Sequence, residues 1–228
     1  MTGSQPENNY AAISGVIVSE PKFSHEVYGE GFYYFFVEVK RLSSSSDRIP
    51  VMVSERLVAL SEYTEGRYIY IEGQFRSYNQ VGDNHSKLML MVFARDVRFD
   101  EHIEDCPKNE AGEETDCNTV VLDGFICKQP VYRKTPFNRE IADLLIAVNR
   151  SYNKSDYIPC ISWGRNARYC AGRNVGDNVR LTGRIQSRAY QKKYPDGTTE
   201  ERMAYEVSVI RLELITPKEN TETQPIAE

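Results

Sequence analysis

"SDYIPCISWGRNARYC", Ser155 to Cys170, and "SDRIPVMVSERLVALS", Ser46 to Ser61, share Asp, Ile and Pro in the same order, and their comparison decides how the chain is built. The downstream copy holds the only tryptophan, Trp163, next to a glycine and close to Arg165, Arg168 and Arg173. The upstream copy has arginine, Arg48, where the other has Tyr157, and serine, Ser54, where the other has Trp163. One frame with exchanged surface residues raises the question of why one copy keeps aromatics that the other has given up.

The match extends outward from these stretches. A shift of 109 residues lays "AISGVIVSEP" (Ala12 to Pro21) on "VLDGFICKQP" (Val121 to Pro130), with Gly15 on Gly124, and "FFVEVKR" (Phe35 to Arg41) on "LLIAVNR" (Leu144 to Arg150). A shift of 110 lays "YIEGQFRS" (Tyr70 to Ser77) on "RLTGRIQS" (Arg180 to Ser187). Three blocks in register identify an internal duplication.

Each copy reads as short runs of Val, Ile, Leu, Tyr and Phe with partial alternation, separated by Gly, Pro and Ser clusters, which is the pattern of strands. Strands are predicted at 11–19, 32–41, 48–53, 67–78 and 87–98, and again at 119–127, 141–150, 157–163, 178–190 and 202–214. "SERLVALSEYTEG" has helical spacing between the third and fourth strands of the first copy, and 165–172 is its short counterpart in the second. Five strands with one helix between the third and fourth is the order of an OB-fold, so the expected class is all-β, two tandem five-stranded barrels. The expected domains are 1–99 and 119–215, joined by an acidic linker, 100–118, and followed by a polar tail, 216–228, expected to be disordered.

Charge is divided unevenly along the 228 residues. Residues 1–99 carry ten bases against twelve acids and residues 100–118 one base against eight acids, whereas residues 119–214 carry sixteen bases against ten acids. The second copy is thus basic within a chain of net charge −5, which favours it as the partner of an anionic polymer. Five cysteines without a CxxC pair argue against a disulfide framework and a zinc site; Cys106 and Cys117 could pair only under oxidising conditions. No cofactor, metal or enzyme is expected, because no Ser/His/Asp set, phosphate-cradling glycine loop or ligand cluster is present. The polar start and the lack of an apolar run of about 18 residues lead to an expectation of a cytoplasmic protein without membrane contact.

"LIAVNRSYNKSDYIPCISWGRNARYCAGRNVGDNVRLTGRIQSRAY" resembles the central block of bacterial single-stranded DNA-binding proteins: a strand ending in Ala-Val-Asn-Arg, a strand ending in aromatic-Gly-Arg, a helix, and a Gly-Asp turn into Gly-Arg-Ile-Gln-Ser-Arg. The resemblance covers most of 119–214 and reaches 11–99 only through the repeat. It implies sequence-nonspecific binding of single-stranded DNA in replication, recombination or repair, without catalysis, and a homodimer that pools four OB-folds. It also implies stacking aromatics at Tyr152, Tyr157, Trp163 and Tyr190. Arg150, Arg165, Arg184 and Arg188 are the expected phosphate contacts, with Lys192 and Lys193 on the long hairpin "YQKKYPDGTTEERMAY". In the first copy the aromatic positions are Ser43, Arg48, Ser54 and Gln80, so that copy is expected to give auxiliary binding at most, through Arg76 and Tyr78. The end, "ETQPIAE", has neither the acidic cluster nor the apolar tip by which family members recruit repair enzymes, so recruitment by that route is not expected.

Bland readings stand beside these. A lone tryptophan is more often core than platform, Tyr157 and Tyr190 could be ordinary cross-strand aromatics, and Arg168 and Arg173 read as a solvated helix face. A structural or protein-interaction role, and RNA in place of DNA, remain open at this point.

Overall fold

A computed structural model of the chain describes residues 8–43, 45–81, 86–100, 115–194 and 197–215. The first unit contains β1 (Asn9–Ile17), β2 (Lys22–Val27), β3 (Glu30–Lys40), β4 (Ser46–Ser54), a 3₁₀ turn (Leu60–Glu62), β5 (Tyr68–Val81) and β6 (Ser86–Phe99). The second contains β7 (Asn118–Ile126), β8 (Val131–Lys134), β9 (Glu140–Arg150), β10 (Lys154–Trp163), α1 (Arg165–Ala171), β11 (Asn178–Lys193) and β12 (Thr199–Leu214). Residues 101–114 of the expected linker, the tail from 216, and with them Cys106, lie outside the described residues.

All ten predicted strands are present. Two more, β2 and β8, form short hairpins with β3 and β9; "KFSHEV" and "VYRK" are exposed or half-exposed throughout, so no apolar alternation announces them. The helical spacing in the first unit yields only the 3₁₀ turn, after which Tyr63 turns inward. Its ring packs on Phe35 (5.1 Å) and Phe99 (5.3 Å), filling the end of the barrel that α1 fills in the second unit with Ala167 and Cys170.

Each unit closes through the same contacts. β1 pairs with β5 and bends to reach β3, while β4 meets β6 in parallel; β7, β11, β9, β10 and β12 repeat this. The bend requires glycine at the matched positions Gly15 and Gly124, since a Cβ there would lie 2.1 Å from the Glu38 carbonyl oxygen and 2.5 Å from that of Ala147. The cores are aliphatic, built on Ile13, Ile17, Val37, Ile49, Val51, Ile71 and Phe75 in one barrel, and on Leu122, Ile126, Ile146, Ile158, Leu181 and Ile185 in the other.

The units join through their first strands. β1 and β7 run antiparallel with Asn9 opposite Leu122, Ala11 opposite Val120 and Ile13 opposite Asn118, making one twelve-stranded sheet. Val120 is the residue that matches Ala11 in the repeat, so a pseudo-twofold axis passes through this pair. Asn9 and Asn118 extend the symmetry: each side-chain amide bonds both backbone groups of a residue on the neighbouring strand, Phe75 (2.7 and 2.9 Å) and Ile185 (2.8 and 2.8 Å).

Candidate nucleic-acid interface

Alternation along β10 decides which side chains leave the barrel. Asp156, Ile158, Cys160 and Ser162 turn inward and are buried, whereas Tyr157 and Trp163 turn outward with 49% and 40% of their surface exposed. Six residues of extended chain set them roughly 20 Å apart on one face. Tyr152 stands in the turn between β9 and β10, almost fully exposed, with Tyr152 and Asn153 both in the left-handed region at φ 62° and 54°. Tyr190 is partly exposed on β11, in the hairpin with β12 that also carries Lys192 and Lys193. A lone indole packed in a core would be buried, and Trp163 is not.

The predicted basic residues fall into two groups. Arg165 and Arg188 are exposed and, among the described residues, form no ion pair; nor do Lys192 and Lys193, the former lying over the Tyr194 ring at 4.9 Å. Arg150 and Arg184 are committed to the boundary between the units. Arg150 Nε is 3.4 Å from Asp156 Oδ2, and Arg184 lies 3.9 Å from Asp47 Oδ2. Arg168 pairs with Glu140 (2.9 Å), and Arg173 covers the Tyr169 ring, as expected of a solvated helix face.

The boundary between the units holds two buried aspartates that sequence comparison aligned without assigning. Asp47 accepts from Arg41 (2.7 and 2.5 Å) and, across the boundary, from the Ser187 amide (2.7 Å) and hydroxyl (3.1 Å). Its counterpart Asp156 accepts from the Ser77 amide (2.9 Å) and hydroxyl (3.2 Å). The Tyr157 amide then donates to Ser77 Oγ (3.0 Å), and the Arg48 amide to Ser187 Oγ (3.3 Å). Identical acid, serine and arginine positions in both copies were the available signal. Burial lowers the pKa of Arg76 and Arg184, with the neighbouring Arg150 and Arg41 adding repulsion.

In the first unit Tyr78 is half-buried and stacks on His25 (5.7 Å, 14° between planes), which stacks in turn on Phe32 (5.1 Å, 8°). Arg76 lies over the Phe93 ring at 5.3 Å and against the Gln74 amide oxygen (2.9 Å). Arg48 is exposed with its guanidinium 4.5 Å from the centre of the Phe36 ring. Among the described residues no group of three His, Cys, Asp or Glu side chains could hold a metal ion, and no helix is long and apolar enough to cross a membrane.

Barrels of this strand order, duplicated about an axis between first strands, place the molecule in the class of tandem OB-folds. Comparison with known proteins narrows the class. Residues 117–215 match the model of the single-strand binding protein family. Single-stranded DNA-binding protein B of Bacillus subtilis is 34% identical over 86 residues, covering 33% of this chain and 74% of that protein. Single-stranded DNA-binding protein 3 of Streptococcus agalactiae is 35% identical over 83 residues, which span 60% of its length and 33% of this chain. The wild-type single-stranded DNA binding protein from Thermus aquaticus shares the fold of both units, with a TM-score of 0.68 over 91% of this chain and 93% of that one at 18% identity. The chain belongs to the single-strand binding protein family.

Proposed function

We propose that the protein coats single-stranded DNA without strong sequence preference, in replication, recombination or repair, and that it acts by binding rather than catalysis. The observation that carries this reading is the outward placement of Tyr157 and Trp163 on β10, in a unit whose exposed Arg165 and Arg188 lack acidic partners among the described residues. A single strand offers base faces and phosphates; each base stacked on an aromatic contributes about 1–3 kcal/mol, and each phosphate neutralised releases counterions. Tyr152 and Tyr190 extend the set of aromatics, and Lys192 and Lys193 on the β11–β12 hairpin clasp the backbone. Arg150 and Arg184 act from the boundary, where their charge adds to the field of the groove. The second unit is the main site, with Arg76 and Tyr78 auxiliary, in a cytoplasmic homodimer pooling four OB-folds.

The test uses the unique tryptophan. Titrating oligo-dT of about 35 nucleotides into the protein at several salt concentrations quenches Trp163 fluorescence, and log K falls with log salt at about −0.7 per phosphate contact. Silence in both fluorescence and anisotropy overturns the reading, and preference for a matched RNA oligomer reassigns the ligand.

A further inference from the structure

The pseudo-twofold axis creates two equivalent junctions between the units, and their chemistry is not equivalent. At the first, β10 of the second unit meets β5 of the first through Asp156 and Ser77, and the next residue along each strand is a tyrosine, Tyr157 and Tyr78. At the second, β4 of the first unit meets β11 of the second through Asp47 and Ser187, and the next residue along each strand is an arginine, Arg48 and Arg188. Arg48 matches Tyr157 in the repeat and Tyr78 matches Arg188, so both positions have exchanged together. The aromatics missing at one place in the first copy are therefore matched by a gain at another.

We propose that the two junctions are unlike DNA contacts: bases stack on Tyr78 and Tyr157 where the strand crosses one, and phosphates pair with Arg48 and Arg188 where it crosses the other. The proposal rests on the reading of the protein as a single-strand binder; it adds one contact in the first unit, Arg48, and makes the auxiliary Tyr78 a base-stacking one.

Both junctions are built for these roles. Tyr78 is preset by the stack on His25 and Phe32, so little rotamer freedom is lost when a base covers its other face. Tyr157 is half exposed and held by its amide to Ser77. Arg48 rests on the Phe36 ring without an acid partner among the described residues, and Arg188 is exposed. The floors are alike: Arg150 and Arg76 surround Asp156, and Arg41 and Arg184 surround Asp47. Glu38 lies opposite Arg48 on β3 where Ala147 lies opposite Tyr157 on β9, so the exchange makes the second junction more positive by two arginines less one acid, which still draws phosphate there and leaves the first to stacking.

Oligo-dT binding by anisotropy across a salt series, on the full chain, separates the roles. Replacing Tyr78 and Tyr157 by leucine is expected to weaken binding roughly 5- to 160-fold for each stack lost, with the salt slope unchanged. Tyr78→Phe with Tyr157→Phe keeps wild-type affinity, and an unchanged melting temperature of the leucine variants shows that their loss of binding is not misfolding. Replacing Arg48 and Arg188 by glutamine is expected to make the slope shallower by about 1.4, about 0.7 for each arginine, with affinity approaching that of the wild type at high salt. The proposal is overturned if Arg48→Gln and Tyr78→Leu singly leave affinity and slope at wild-type values, or if the tyrosine pair flattens the slope. Absence of salt-dependent binding by the wild type overturns the underlying reading instead, and the proposal with it.

Discussion

Asp47 and Asp156 occupy the same place in the two copies, yet they are not held equally. Asp47 receives both prongs of Arg41 in addition to Ser187, whereas Arg150 Nε and Asp156 Oδ2 face each other at 3.4 Å without a formed hydrogen bond. Bidentate arginine pairing is the stronger arrangement, and removing one partner of a buried pair costs about 3–5 kcal/mol because the other charge is left unsatisfied. Asp47→Ala is therefore expected to destabilise the fold by an amount in that range and Asp156→Ala by less, measured by urea unfolding; equal losses would show that the serine contacts dominate both. Tyr63 is the opposite case. Its hydroxyl is buried without a partner among the described residues, and burial pushes its pKa up to about 12. Since an unpaired buried hydroxyl costs roughly 1–3 kcal/mol, Tyr63→Phe should keep the packing on Phe35 and Phe99 and raise stability by about 1 kcal/mol, and a loss of stability would expose a missing partner.

At the scale of elements, the strands were legible because alternation and glycine spacing are local. β10 could be read residue by residue, down to which aromatics leave the barrel. β2 and β8 could not, because they bury almost nothing and are strands only by pairing with β3 and β9. The helix expected in the first unit is missing beyond one 3₁₀ turn, since Tyr63 alone plugs the barrel end that α1 covers in the second unit. The junctions left a signal in the matched Asp and Ser positions but not their pairing: Asp47 meets Ser187 and Asp156 meets Ser77 across separations of 140 and 79 residues, which the β1–β7 pairing brings together. The β11–β12 hairpin beyond Ser187 has an exposed surface and no core contact of its own, so substitutions there should separate binding from stability. Lys192→Gln with Lys193→Gln is expected to leave the melting temperature unchanged while making the oligo-dT salt slope about 1.4 shallower. A drop in melting temperature would instead give the hairpin a structural role.

At the scale of the whole molecule, the first strands do for one chain what a subunit interface does for two. The β1–β7 register is self-complementary about Ala11 and Val120: Asn9 faces Leu122 and Ile13 faces Asn118, and each of these pairs becomes the other under the 109-residue repeat. Hydrogen bonds beyond the ladder obey the same symmetry, Asp123 donating to the Asn8 carbonyl (2.8 Å) and Ser14 to that of Cys117 (2.9 Å). Cutting the chain between the units would leave the first half of β7 as an unpaired edge, with backbone donors and acceptors already set for an antiparallel partner, and such edges pair readily. Because the register is centred on one residue, a second copy of residues 115–215 supplies that partner, with Val120 facing Val120 in an isologous twofold contact. The isolated second unit is therefore expected to sediment as a dimer whose dissociation depends on concentration. Thr119→Pro, at a half-buried position opposite Ala12 and outside the β7–β11 register, should leave it monomeric while sparing the barrel core. If the isolated unit stays monomeric at high concentration, strand pairing together with the Asp156–Ser187 contacts that two copies would re-form is too weak to join the units without the covalent link between them.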